Sequence, residues 1–233
     1  SISGHDAVIC HDGTAEVVTL PAYADSLNTE VQRIDVRLDE RGDARLTLVS
    51  VSRARQYEWN RPILDLGADK RCDFLRRNIE LPLARVDSLQ CEEVLDNGLP
   101  EMHIRASVTA QRYANKTGTR LFVPVAPLRK SSGRYAAERR HDLWIDKGYC
   151  DVDTLTLHLP AGYVVEALPK PVTLDNRFGS ISMETAYDGD TLIVHCRLLR
   201  RSGLYARSEY TAFREFMQAV DRAYSAKIVL RKE

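Results

Sequence analysis

The chain has 233 residues, with 33 lysines and arginines against 33 aspartates and glutamates, and five cysteines. That length buries a core as one large β-domain or two small ones without disulfide or metal staples, and the neutral balance supplies no global field for nucleic acid or an anionic membrane. No apolar run approaches the ~18 residues of a membrane span, and Cys10, Cys72, Cys91, Cys150 and Cys196 are widely spaced with no Cys-x-x-Cys, which excludes a Cys-rich zinc module.

In chain order, residues 1–28 read as a trailing segment from an upstream domain: two short strands, 5–10 and 16–20, around the turn His11-Asp12-Gly13-Thr14. The start at Ser1, without a signal peptide, marks the chain in this reading as a processed or excised piece of a longer protein. Ile34, Val36 and Leu38 then alternate with polar residues, Glu40-Arg41-Gly42-Asp43 supplies a turn, and Leu46, Leu48 and Val51 return, which predicts a hairpin. Pro62 near a helix start and Phe74 and Leu75 among charges predict a helical insertion near 60–80, broken at Gly67 and stopped at Leu81-Pro82.

The β-pattern resumes over 86–95, turns at Asp96-Asn97-Gly98, and continues with Met102, Ile104, Ala106, Val108 and Ala110 on one face of a half-buried strand. Pro124 and Pro127 limit the strand 121–125 to a sheet edge or an end. Lys130-Ser131-Ser132-Gly133 is the best interior linker signal, and a split there would divide the module into two β subdomains near 130–134. Strands at 155–159, 164–168, 180–186 and 192–198, with turns at Pro160-Ala161-Gly162-Tyr163 and Asp188-Gly189-Asp190, form a meander into the C-terminal segment. There Tyr210, Phe213, Met217, Val220 and Tyr224 recur at spacings of three and four, with Ser208 placed as N-cap, which predicts an amphipathic helix over about 208–225 and a last strand over 227–230. The fold class is mainly β: an antiparallel β-sandwich module over 29–233 with this helix laid on a sheet.

Candidate chemistry is thin. His5 and His11 share one face of an extended segment and Cys10 the other, so no thiolate–imidazole pair forms within it and a third metal ligand is missing. His103, His141, His158 and His195 show no ligand spacing, and no phosphate-cradling glycine motif or nucleophile elbow occurs. The cysteines read as small buried apolar residues, and Asp151, Asp153, Asp188 and Asp190 as residues of hairpin ends. Trp59 and Trp144 read as packing at a core edge, or, with coplanar tyrosines, as a carbohydrate platform. Asn115-Lys116-Thr117 matches an N-glycosylation triplet, and Asp25-Ser26-Leu27 with Asp87-Ser88-Leu89, Asp153-Thr154-Leu155 and Asp190-Thr191-Leu192 resemble a bacterial O-glycosylation signal. No catalytic, cofactor-binding or metal-binding residue is assigned.

Leu157-His158-Leu159-Pro160-Ala161-Gly162-Tyr163 through Pro169, Phe178-Gly179-Ser180, and Glu209-Tyr210 through Phe213 and Phe216 to Leu230 resemble the C-terminal β-rich domain of unknown function of bacterial transglutaminase-like, papain-fold proteins. Thr19-Leu20-Pro21 and Asn28 extend the resemblance as the exit from the papain-like core, so it covers nearly the whole chain through turn and packing residues. It implies an exported, periplasmic or cell-envelope protein whose parent is a transglutaminase or peptidase. The catalytic Cys, His and Asp of that family belong to the preceding core, with no positions here to receive them. This chain would then be a non-catalytic accessory module with the upstream transglutaminase-like domain as partner, and an unknown protein or glycan as a further one. The rival readings are a carbohydrate- or cell-wall-binding module and an independent cysteine hydrolase with a thiol and an imidazole in a cleft.

Overall fold

The computed structural model describes residues 4–79, 81, 83–95, 98–129, 133 and 135–233. A hairpin of β1 (Asp6–His11) and β2 (Thr14–Thr19) precedes β3 (Thr29–Leu38) and β4 (Ala44–Arg53). The helical excursion consists of α1 (Arg55–Asn60), a 3-10 turn at Arg61–Asp65 and α2 (Ala68–Asn78). Then come β5 (Ala84–Val94), β6 (Glu101–Ala110), β7 (Asn115–Thr117), β8 (Arg120–Pro124), β9 (Leu143–Ile145) and β10 (Tyr149–His158). The chain continues through β11 (Tyr163–Ala167), β12 (Val172–Asn176), β13 (Gly179–Asp188), β14 (Thr191–Arg200) and β15 (Gly203–Tyr205) to α3 (Tyr210–Tyr224) and β16 (Lys227–Lys232).

Strand alternation explains the layers. Ile34, Val36 and Leu38 of β3, Leu46 and Leu48 of β4, and Leu155 and Leu157 of β10 share one parity and are buried, while their neighbours face outward. They belong to an eight-stranded sheet of order β12-β13-β14-β10-β3-β4-β6-β5. A second sheet of order β11-β16-β8-β7 adds Leu121, Val123, Ile228 and Leu230 to the same core. The mainly β sandwich is therefore observed, with one departure from the antiparallel expectation: β10 runs parallel to β3, Cys150 opposite Thr29 through to His158 opposite Arg37. Parallel partners cannot be joined by a hairpin, and everything from Ala44 to Ile145 lies between them. Strands before and after the proposed split near 130–134 thus share one sheet and one core.

α3 lies on that core by the face its spacing marked. Tyr210, Phe213, Met217, Val220 and Tyr224 are buried, joined by Phe216 and Ala223. Phe213 meets Phe178 edge-on at 5.7 Å and Tyr135 at 5.6 Å, geometry that adds to the ~1.5–3 kcal/mol from burying each large side chain. Gly179 sits beneath the helix with φ 154, where a Cβ would overlap the Leu199 carbonyl oxygen and press on the Phe216 ring. Ser208 is not the N-cap: it lies in the 3-10 turn Arg207–Glu209, and the Glu209 carboxylate accepts from the Ala206 N–H at 3.0 Å. A carboxylate also suits the positive helix end better than a hydroxyl.

Other expectations shift. The 34–51 hairpin is present as β3 and β4, its turn held by Gly42 at φ 91, where a Cβ would overlap the Ala114 carbonyl oxygen. The helical insertion begins at Arg55 rather than near 60, because Ala54 turns the chain out of β4 at φ 53 and Gln56 is then drawn into the interior. β8 is an inner strand between β16 and β7, with Pro124 as its last residue. Only Cys150 and Cys196 are buried; Cys72 and Cys91 are half-buried and Cys10 is exposed. The expected turn residues Asp96 and Asn97, linker residues 130–132, Glu80 at the end of the expected insertion and the helix-stopping Pro82 lie outside the described residues.

Candidate functional site

At one end of the large sheet the inner face changes from apolar to polar on three adjacent strands at once. Asp153 of β10 stands opposite Gln32 of β3, which stands opposite Ser50 of β4; one rung on, Asp151, Glu30 and Ser52 repeat the pattern. The next rung in the other direction is Leu155, Ile34 and Leu48, and is wholly apolar. Asp151 and Asp153 are therefore not hairpin-end residues: they occupy core-facing positions in step with Leu155 and Leu157. That parity is readable in the sequence, and an aspartate on a strand's apolar face is a buried polar group in need of a partner.

The partner is Arg129, from the segment after β8. Its Nε and Nη2 donate to Asp153 Oδ2 and Oδ1 at 2.8 and 2.6 Å, and its Nη1 reaches Glu30 Oε2 at 2.8 Å and Asp151 Oδ2 at 3.0 Å. The planar guanidinium suits this fork-to-fork pairing in a way that a lysine would not. Gln56 Nε2 donates to Asp151 Oδ1 at 2.9 Å, and Asn28 Oδ1 accepts from the Gln56 N–H at 2.8 Å, which ties α1 to the strip. Three carboxylates share one guanidinium, with side chains at most 15 % exposed. Burial pushes the Asp151 carboxyl up to about 6 against the pull of Arg129, with Glu30 adding to the rise. Burial alone would lower Arg129, yet Asp151, Asp153 and Glu30 hold it well above its ordinary value. The nearby Cys196 thiol is pushed up to about 12, first by burial and then by Asp153, so it is held as an unreactive thiol.

Beside the strip a recess of about 410 Å³ opens between the helical excursion and the sheet. Glu30, Gln32, Ser50, Gln56 and Asn60 supply its polar lining, and Leu48, Ile104, Trp59, Phe74, Leu75 and Ile79 most of its apolar lining. Gln32 is only 7 % exposed, and its Oε1 is buried without a hydrogen-bond partner.

The remaining candidates are dispersed. β1 carries Cys10 and His11 and, among the described residues, pairs only with β2. His103 bonds Glu101 at 2.6 Å, His158 bonds Asp35 at 2.7 Å and His195 faces Thr154 at 3.2 Å. Trp59 lines the 410 Å³ recess, whereas Trp144 stands opposite Leu204 and lines another with Tyr135 and Tyr210, so the two tryptophans do not share a platform. Asp188 and Asp190 do flank a strand turn, as their spacing predicts. Among the described residues no group of three His, Cys, Asp or Glu side chains could hold a metal ion, and no helix is long and apolar enough to cross a membrane.

No curated protein matches the chain. Arg129, Asp151 and Asp153 fall inside, and Glu30, Gln32, Ser50 and Gln56 outside, a stretch that a family model recognises. That stretch, residues 119–230, matches the Domain of Unknown Function with solved-structure structure (DUF3858), and so identifies a domain of that kind running from the start of β8 into β16.

Proposed function

We propose that this chain is a non-catalytic accessory module of a larger exported transglutaminase-like protein, and that it docks on the upstream domain through its first hairpin. The observation that supports this reading is the hairpin's own surface. Val8 pairs with Val17 and Cys10 with Ala15, which places four small apolar side chains on one face. Val8 is 61 % and Val17 70 % exposed, and among the described residues no other strand pairs with the ribbon. A two-stranded ribbon in water is marginal at best and gains stability by covering such a face. The resemblance to the domain that follows a papain-like core supplies the occupant, and the match of residues 119–230 to a domain of unknown function accords with it.

Amide hydrogen exchange over residues 6–19 tests the proposal, measured in the parent protein and in this chain alone. Docking slows exchange of the β1 and β2 amides in the parent, and Val17→Asp restores fast exchange there. Equal exchange in both proteins, or a parent reading frame with no transglutaminase-like core ahead of residue 1, contradicts it.

A further inference from the structure

The polar strip leaves hydrogen-bonding capacity unused on the side away from Arg129, and that side lines the recess. Glu30 Oε2 is taken by Arg129, but among the described residues Glu30 Oε1 receives only the Ser50 hydroxyl at 3.2 Å. Gln32 Oε1 receives nothing. A buried acceptor without a donor is unfavourable by about 1–3 kcal/mol; Gln32 lines the recess, and a turn of its amide would bring Oε1 to a donor that arrives from outside. Arg129 is engaged with Glu30, Asp151 and Asp153. No Lys or Arg stands among the described residues that line the recess. Among the described residues the local charge is also uneven, with three carboxylates against one guanidinium in surroundings where charges are poorly screened.

The rest of the lining is apolar and aromatic. Phe74, Leu75 and Ile79 come from the α2 side, Leu48 and Ile104 from the sheet, and Trp59 lines the recess while remaining 46 % exposed. Volume and composition fall in the range of small-molecule sites, apolar walls with a few convergent polar groups. An indole beside a negative floor favours a cation twice, through its ring face and through the field of the carboxylates.

We infer that the recess under α1 and α2 binds a small organic cation, a primary ammonium carried on an apolar body, with the ammonium on Gln32 Oε1 and Glu30 Oε1 and the body against Trp59 and Phe74. The site is independent of the hairpin face and of whether the chain serves an upstream enzyme. An ammonium offers three donors and no acceptor, which matches the two acceptor oxygens, Gln32 Oε1 and Glu30 Oε1.

The test is a titration of the chain with 2-phenylethylamine, 2-phenylethanol and 3-phenylpropanoate, followed by Trp59 fluorescence and by calorimetry. The amine binds saturably, the alcohol about tenfold or more weaker, and the carboxylate not at all, as expected where one charge-assisted hydrogen bond separates the first two ligands. Gln32→Leu and Trp59→Ala each weaken the amine by about tenfold, in the range of one lost polar or aromatic contact. Trp59→Ala is read by calorimetry, and its half-exposed position keeps the test informative if Gln32→Leu fails to fold. Three outcomes overturn the inference: no amine binding at millimolar concentration, equal affinity for amine, alcohol and carboxylate, or amine affinity unchanged in both variants. Preferential binding of a neutral sugar over the amine overturns it as well, and returns the recess to the carbohydrate reading.

Discussion

Replacing Arg129 by methionine removes the only cation that touches Glu30, Asp151 and Asp153 among the described residues, while keeping an unbranched apolar side chain in its place. Unit charges about 4 Å apart attract by about 4 kcal/mol at an effective dielectric of about 20. Three such attractions at 2.6–3.0 Å outweigh the loss of hydration of one guanidinium. Removing one partner of a buried pair typically destabilises by about 3–5 kcal/mol, because the remaining charge stays buried. That is a large part of the about 5–15 kcal/mol that holds a domain folded. The deficit depends on pH with a definite sign. Asp151 already titrates at about 6 in the folded chain, and Arg129 is what holds it down from higher values. In Arg129→Met the folded carboxyl therefore rises further above its unfolded value of about 3.9. A raised carboxyl favours the folded state fully below the unfolded value, and that contribution is lost as pH rises through the folded value. Urea unfolding at pH 7.5 and pH 4.5 should thus show the variant about 3–5 kcal/mol less stable at the higher pH and at least about 1 kcal/mol closer to the parent at the lower. Equal deficits at both pH values, or no deficit at pH 7.5, would refute the reasoning.

Asp151→Asn fixes that side chain in a neutral form. Its stability relative to the unmodified chain should rise between about pH 4 and pH 6, by up to roughly 3 kcal/mol, the free energy of raising a carboxyl from 3.8 to about 6; a flat difference across that window would show that Asp151 does not titrate as described. Gly42→Ala should lower stability by about 1–3 kcal/mol more than Gly189→Ala, the order of cost of one added local strain. Both sites have positive φ, but only at Gly42 would the new methyl overlap a backbone carbonyl, that of Ala114. Equal losses in thermal unfolding would remove the steric argument.

The parts of the fold that were legible in the sequence are those set by local period. The α3 face could be read from Tyr210 to Tyr224 because 3.6-residue spacing is intrinsic to the helix. The β3–β4 hairpin could be read because its turn and both strands are contiguous. The parallel partner of β10 could not, since nothing within residues 149–158 specifies β3, and strand pairing over such a separation is decided by the whole core. The candidate site depends on that same pairing. Glu30, Gln32, Ser50, Asp151 and Asp153 are unremarkable within their own strands and form a strip only once three strands are in register. The parity of Asp151 and Asp153 with Leu155 was the one local signal, and their nearness to a turn-like spacing concealed it. Arg129 gave no signal, because its role comes from a segment that returns across the sheet rather than from any motif.

The proposal that the β1–β2 face is covered in a larger parent protein has a direct reporter in Cys10. Its thiol is exposed and lies on the apolar face with Val8, Ala15 and Val17. The rate of its modification by a thiol reagent, followed by peptide mass spectrometry in this chain and in the parent protein, gives the answer. The account predicts fast labelling here and labelling slowed by about tenfold or more in the parent, since an interface that opens rarely protects in proportion to its closed population. Equal labelling rates in the two proteins would contradict it.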